Sequence, residues 1–177
     1  PLTLQWIDPA WLAWRTGIAV VSDFRRADCA AGGQGAPLVP YADYALFRDA
    51  QRDRILLNIG GIANFTALPA GAAIDEVVAS DSGPGNCISD RLMRTYFNLD
   101  FDADGALAGS GQPDDALVRA VLGERFFASP FPRSTDVPEM WDAWETGLNA
   151  VGREYAAKDL LASACAISVE AIARCIE

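Results

Sequence analysis

The sequence predicts an α/β fold, and two kinds of apolar pattern support that prediction. Residues 18–21, 55–59 and 77–80 are short apolar runs of the length expected for buried strands. Residues 160–176 place apolar side chains at helical spacing, which indicates an amphipathic helix. Each apolar run leads into glycines or acidic side chains. We therefore expect ligands at the carboxyl ends of the strands, as in open α/β sheets.

The first elements are predicted by capping and stop signals. Asp8 is suited to cap a short helix that has Pro9 at its first position and runs to about Arg15. Thr16 and Gly17 end this helix.

The next residues are predicted to form a strand, a loop and a short helix before a boundary. We expect a buried parallel strand over residues 18–21, with residues 23–26 at its carboxyl end. Residues 30–37 are small and form a loop, and residues 41–47 form a helix. Residues 48–54 are polar and mark a domain boundary.

The central segment is predicted to hold a hairpin and a further strand. Residues 55–59 and 63–68 form a hairpin-like pair around the turn at Gly60 and Gly61. Residues 77–80 form the next strand, which delivers Asp81 at its carboxyl end.

The remaining residues are mostly helical in prediction. We expect helices over residues 86–96, 114–122, 141–148 and 160–176. Residues 100–111 read as an acidic loop that contains glycines, and the prolines within residues 128–138 predict an irregular segment.

Composition limits the size of the fold and the class of partner. The chain has 177 residues, enough for one domain or parts of two. Its net charge of −10 disfavours nucleic acids and anionic membranes as partners. No apolar run is long enough to cross a membrane. The chain has no histidine, so a general base has to be a carboxylate or another group.

The cysteines predict a reducing environment. Cys29, Cys87, Cys165 and Cys175 form no C-x-x-C pair, and no histidine is available to complete a zinc site. We expect buried, reduced thiols and no protein-only metal site. The start of the chain lacks the cationic segment of a signal peptide, so a cytoplasmic location is expected.

Two glycine-rich turns, at residues 58–64 and 81–86, are the strongest functional signal. Glycine lets the backbone approach a ligand and present its N–H groups, and Asp81 adds a carboxylate. Phosphoryl transfer needs such donors beside an acid or base. The sequence lacks the P-loop and dinucleotide-binding glycine patterns, which disfavours those two classes of enzyme.

Each signal also has a structural interpretation. Gly60 and Gly61 could form a plain hairpin turn, and Asp81 could be a cap or an ion-pair partner. Residues 23–26 could be a solvated charge cluster, although Arg25 could equally grip a carboxylate or a phosphate.

Several motifs resemble the anhydro-N-acetylmuramic acid kinase family in their order and spacing along nearly the whole chain. They are residues 21–25, 30–40, 57–64, 81–86, 102–105 and 133–135. The resemblance implies the two-domain, ribonuclease H-like fold of actin-like ATPases. Residues 1–50 would then end the first domain, and residues 51–177 would form an incomplete second domain.

The resemblance also implies a reaction in bacterial cell-wall recycling. Water opens the ring of 1,6-anhydro-N-acetylmuramic acid, and ATP with Mg²⁺ phosphorylates the freed O6 atom to give N-acetylmuramic acid 6-phosphate. The implied partners are the anhydro-amino sugar and ATP, and members of the family commonly form homodimers.

Site residues follow from the same resemblance. Asp81 matches the general base that activates water. Gly60 and Gly61, with Asn58 and Asn64, match the second phosphate-binding loop. The substrate side would be lined by Asp23, Gln34, Gly83, Gly85 and Asn86. Arg25 is assigned to the lactyl carboxylate from charge complementarity alone.

The chain departs from the family pattern at several places. Ser82 replaces the usual threonine, and Arg133 stands where lysine is usual. The phosphate loop of the first domain and the adenosine-contacting segment are not in the sequence, so we expect half of the ATP cleft to be missing. One alternative is a non-catalytic remnant that binds sugar or a partner chain. Another is an acetate- or hexose-type kinase, which the string at residues 32–40 disfavours.

Overall fold

The computed structural model describes residues 3–33 and 35–176, which form a mixed α/β fold around one antiparallel sheet. Its strands are β1 (Arg54–Ile59), β2 (Ile62–Leu68) and β3 (Val78–Pro84), in that order across the sheet. Short connections explain the antiparallel pairing, because a parallel pair needs a crossover of about a dozen residues or more. The predicted hairpin of β1 and β2 is confirmed.

The N-terminal region forms three short helices, α1 (Pro9–Thr16), α2 (Phe24–Ala30) and α3 (Pro40–Phe47). The predicted caps of α1 are confirmed: the Asp8 carboxylate accepts a hydrogen bond from the Trp11 N–H at 2.9 Å, and Gly17 has a φ of 67°. No residue of these three helices is buried.

The predicted parallel strand at residues 18–21 is wrong. These residues have no regular structure and are mostly exposed. The sheet formed by the described residues contains only β1, β2 and β3, so the apolar run has no strand to pair with. An apolar run alone does not decide between a strand and an extended segment that needs another partner.

Helices make up most of the C-terminal part. They are α4 (Cys87–Leu92), α5 (Asp115–Leu122), α6 (Arg125–Ala128), α7 (Val137–Val151) and α8 (Ala157–Ile176). A π-helical turn, Met93–Phe97, extends α4 over the predicted range. The irregular segment predicted over residues 128–138 is shorter than expected, because Pro138 lies in the first turn of α7, where proline is tolerated.

The core lies among four of these helices, α4, α5, α7 and α8. Ile88, Leu117, Trp144, Leu161 and Ile167 are at most 1% exposed and belong to one apolar cluster. α8 also packs against β3. The sheet strand that carries Asp81 is therefore held by the most buried part of the molecule.

The thiols differ from the prediction in burial. All four cysteines are free, but Cys165 is exposed and the other three are half-buried. Burial still raises the pKa of Cys87 to about 11. In residues 3–33 and 35–176, no cluster of three metal-binding side chains occurs, and no helix has the length and apolarity that a bilayer crossing requires.

Candidate active site

Asp81 lies inside β3 rather than at the end of a strand. β3 continues to Pro84, and Asp81 is only 7% exposed. The pairing of β2 with β3 is irregular between Ala63 and Asn64, because Ala63 pairs with Gly83 and Asn64 pairs with Asp81. The prediction that the strand ends at Asp81 is therefore wrong. The extended backbone continues past this residue, and the bulge is of a kind often found beside functional sites.

The Asp81 carboxylate is held by two donors from one neighbouring segment. Its Oδ2 atom accepts hydrogen bonds from the Thr135 N–H at 2.9 Å and from the Ser134 hydroxyl at 3.2 Å. Burial raises the pKa of Asp81, and these two hydrogen bonds partly oppose that effect. A raised pKa makes the carboxylate a better proton acceptor, which suits a general base.

Three of the predicted site residues form one row across the sheet. Asn58 on β1 pairs with Asn64 on β2, and Asn64 pairs with Asp81 on β3. Side chains that lie directly opposite each other project from the same face of a sheet. The structure therefore brings the predicted base and the two predicted phosphate-side asparagines together.

The two glycine-rich turns are bonded to each other. The Gly61 carbonyl accepts hydrogen bonds from the N–H groups of Gly85 and Cys87, both at 3.0 Å, and the Gly60 carbonyl accepts one from the Asn86 N–H at 2.8 Å. A Cβ atom at position 85 would overlap the Gly60 carbonyl oxygen. Because these N–H groups already donate to carbonyls, the start of α4 does not offer them to an anion.

The N–H groups of Gly60 and Gly61, unlike those at the start of α4, are available to an anion. The structure gives neither group a hydrogen-bond partner within the described ranges. The space around the Gly61 Cα is open, since no atom lies within 4 Å of where a Cβ would stand. Free N–H groups on an open turn suit the oxygens of a phosphate.

Three predicted substrate-side residues lie near this turn. Gly83 and Gly85 are buried, and a Cβ atom at Gly83 would come within 2.9 Å of the Phe127 ring. Asn86 is exposed, and its side-chain amide donates to the Ile59 carbonyl at 3.4 Å. Close packing explains both glycines, while contact with a substrate stays a prediction for all three residues.

Within the part of the chain that it describes, the structure shows no hydrogen bond between this site and Asp23 or Arg25. Asp23 pairs with Arg26, whose hydrogen bond lowers the pKa of Asp23. The Arg25 side chain donates to the Gly35 carbonyl at 2.8 Å. Among the described residues, no hydrogen bond joins α2 to either glycine-rich turn. Gln34 lies outside the described residues.

A cleft of about 500 Å³ lies beside Asn58 and Asn64. It is also lined by Asp43, which no sequence motif marked as a site residue. Asn58, Asn64 and Thr66 line it from the sheet, and Asp43 of α3 lines it opposite. The Asp43 carboxylate accepts a hydrogen bond from the Thr66 hydroxyl at 2.7 Å. An acidic residue in the first turn of a predicted helix gave no signal of this long-range contact.

Known proteins resemble this chain along its whole length. The pattern of the family described as anhydro-N-acetylmuramic acid kinase matches residues 1–177. A protein of that name from Caldanaerobacter subterraneus subsp. tengcongensis is 40% identical over 179 residues, covering 99% of this chain and 45% of the relative. One from Gloeobacter violaceus is 49% identical over 133 residues, covering 75% of this chain and 35% of the relative.

A third relative of the same name, from Pseudoalteromonas atlantica, is 42% identical over 178 residues, covering 98% of this chain and 44% of the relative. The chain thus spans less than half the length of these curated relatives. The chain belongs to the anhydro-N-acetylmuramic acid kinase family.

Proposed function

We propose that this chain carries the water-activating part of a kinase that hydrolyses and phosphorylates 1,6-anhydro-N-acetylmuramic acid during cell-wall recycling. The observation that supports this most is the buried Asp81 carboxylate, held at Oδ2 and aligned with Asn64 and Asn58. Family membership supplies the substrate class. The unpartnered N–H groups of Gly60 and Gly61 supply a phosphate-binding feature on the neighbouring turn.

In the proposed reaction, Asp81 takes a proton from a water molecule as the water oxygen bonds to the anomeric carbon. The bond between that carbon and O6 breaks, and the electron pair stays on O6. O6 then attacks the γ-phosphorus of ATP, the bond to the bridging oxygen breaks, and ADP leaves. A carboxylate suits the first step because a raised pKa makes its oxygen a better proton acceptor.

The proposed phosphate contacts come from the hairpin turn between β1 and β2. We propose that the N–H groups of Gly60 and Gly61 donate to phosphate oxygens of ATP and stabilise charge there. Bound Mg²⁺ would neutralise phosphate charge, and it commonly keeps water and phosphate oxygens as ligands, so a cage of protein carboxylates is not required. Asn58 and Asn64 line the adjoining cleft and would orient the same group.

The proposed substrate-side residues lie in two parts of the chain. Asn86, Gly83 and Gly85 lie beside the hairpin turn, which fits a sugar held near Asp81. Asp23, Arg25 and Gln34 rest on family resemblance or on charge alone. We propose Asp23, Arg25 and Gln34 as further contacts of the sugar.

The test is a mass-spectrometric assay with 1,6-anhydro-N-acetylmuramic acid and Mg-ATP in ordinary and oxygen-18 water. The chain extended to the relatives' full length is compared with its Asp81→Asn variant. We expect a product heavier by one water and one phosphoryl group, labelled from solvent, that the variant does not form. Sugar binding without any product in the extended protein would favour the non-catalytic alternative. Phosphorylation of acetate or a hexose would favour another kinase of the superfamily.

A further inference from the structure

Residues 133–135 run alongside β3 and are bonded to it on both sides of Asp81. The Asp81 N–H donates to the Arg133 carbonyl at 3.0 Å. The Ser80 hydroxyl donates to the same carbonyl at 3.0 Å, and its oxygen accepts from the Arg133 N–H at 2.9 Å. This places Ser134 and Thr135 at a fixed position relative to the Asp81 side chain.

The two donors from this segment are directed at one carboxylate oxygen. The Ser134 hydroxyl and the Thr135 N–H both bond to Oδ2 of Asp81. Within the described part of the chain, no hydrogen bond is made to Oδ1. A carboxylate held this way cannot rotate freely, and its two oxygens differ in their readiness to accept a proton.

The Arg133 side chain holds the segment in place through main-chain carbonyls. On one side, its guanidinium donates to the main-chain carbonyls of Asp81 and Ser82, both at 3.3 Å. The guanidinium also packs between the rings of Phe126 and Phe131. On the other side, one nitrogen donates to the carbonyls of Phe126, Phe127 and Ser129, at 2.9–3.2 Å. Arg133 forms no ion pair with the described carboxylates. Its planar fork therefore links β3 to the 126–129 segment.

We propose that residues 133–135 are positioning residues, which hold Asp81 by Oδ2 and so leave Oδ1 as the oxygen that takes the proton from water. This inference rests on the proposed function of Asp81 as the general base. Ser134 and Thr135 act directly on the carboxylate, and Arg133 acts through them. None of the three has to touch the substrate.

A purely structural role would have a different signature. Loss of a structural contact lowers the stability of the fold and changes the amount of active protein, but it leaves the pH dependence of turnover unchanged. Loss of a hydrogen bond to the ionised carboxylate makes ionisation harder. The pH profile therefore separates the two roles.

The test compares Ser134→Ala with the unchanged sequence in a chain extended to the relatives' full length. We expect the acidic limb of kcat against pH to move to higher pH, because the base then stays protonated over a wider range. The KM for ATP should stay within about twofold, since the contact acts on the base rather than on nucleotide binding. Ser134→Thr, which keeps the hydroxyl, should restore the original limb.

The control is Ser110→Ala. The Ser110 hydroxyl donates only to the Leu107 carbonyl within its own exposed turn. This variant should have an unchanged pH profile. A profile that moves equally in Ser110→Ala and Ser134→Ala would overturn the inference.

Two variants of Arg133 test whether its side chain holds residues 133–135 in place. They keep the inference testable if Ser134→Ala does not fold. Arg133→Met removes every donor of the guanidinium, and we expect it to lower kcat by roughly tenfold or more, as small misplacements of catalytic groups do. Arg133→Lys keeps a cation that can donate to at most three of these carbonyls, so its turnover should lie between those of Arg133→Met and the unchanged protein. Equal turnover in Arg133→Met and the unchanged protein, measured per folded molecule, would overturn the role of Arg133.

The outcomes also separate this inference from the proposed function. If Asp81→Asn retains full turnover, the proposed base is wrong and the positioning role fails with it. If Asp81→Asn loses turnover while Ser134→Ala keeps the original acidic limb, the base stands and the positioning role alone is overturned.

Discussion

Asp81 combines burial with only partial compensation by hydrogen bonds. Its side chain is 7% exposed, and the donors from Ser134 and Thr135 offset only part of the desolvation that raises its pKa. A group chosen for stability alone would be apolar or fully paired at such a depth.

Replacement of Asp81 by Asn should lower kcat by about 10²–10⁴-fold, the range that general acid–base catalysis contributes. Asparagine keeps the size of the side chain and an oxygen that can accept from Ser134 and Thr135, but it cannot take a proton at neutral pH. The measurement is the steady-state kinetics of the chain extended to the relatives' full length, with and without the substitution. Asp142→Asn, at an exposed position of α7, is the matched control. Unchanged turnover in Asp81→Asn would contradict the assignment.

The same substitution should not lower the stability of the fold at neutral pH. The raised pKa means that the folded state binds a proton at Asp81 more tightly than the unfolded chain does. Stability from this group is therefore present at low pH and is lost as pH rises from the usual value of 3.8 through the raised value.

Thermal melts followed by circular dichroism check this prediction. At pH 7 the Asp81→Asn variant should melt at the same temperature as the unchanged chain or at a higher one. The advantage should shrink as pH falls toward 4. A variant that is less stable at pH 7 than at pH 4, relative to the unchanged chain, would show that the carboxylate stabilises the fold.

At the scale of elements, the site depends on the contact between the hairpin turn and the start of α4. Gly60 and Gly61 accept from the N–H groups of residues 85–87, and the two strands β2 and β3 meet beside them. This contact leaves the N–H side of the hairpin turn open. The hairpin turn, which presents the N–H groups of Gly60 and Gly61, is thus supported by the start of α4.

Gly85→Ala should destabilise this contact. A Cβ atom at position 85 would overlap the Gly60 carbonyl oxygen, and backbone cannot yield as a flexible side chain does. We expect a loss of about 1–3 kcal/mol in the free energy of unfolding, the usual cost of overpacking. Urea denaturation gives the measurement. Gly109→Ala is the control because nothing lies within 4 Å of its Cβ position. Equal stability of the two variants would contradict the close approach.

At the scale of the whole molecule, the two ends of the chain differ in burial. Residues of α4, α5, α7 and α8 form the apolar cluster, whereas α1, α2 and α3 contain no buried residue. Trp6 is 93% exposed and Trp14 is 78% exposed. Apolar surface of this extent is typical of a binding surface or of a surface that another part of a protein covers.

Hydrogen exchange should therefore be uneven along this chain. Amides of α1 and α2 should exchange at least about 100-fold faster than those of α8, because local opening needs little free energy where nothing is buried. Exchange followed by mass spectrometry of peptides gives the measurement. The buried helices serve as the internal control, and similar protection in α1 and α8 would contradict the prediction.

Local signals predicted many of the elements. The Asp8 cap, Gly17 and the hairpin at residues 55–68 all act within a few residues, and the structure confirms them. Residues 18–21 show the limit of such signals, because a strand exists only if a partner strand is present. The site shows the same limit: Asp81 and Gly60 are visible as motifs, whereas Ser134 bonds to Asp81 from 53 positions away.

The sequence alone determined the family, the helix caps, the glycine turns and the carboxylate that can act as a base, because each depends on residue type and short spacing. The tertiary structure alone decided that β3 pairs antiparallel with β2 and that Asp81 lies within β3. It also decided that the α4 start bonds to the hairpin turn and that residues 133–135 hold one oxygen of Asp81. These features depend on contacts between distant residues, whose formation is decided by the packing of the whole chain.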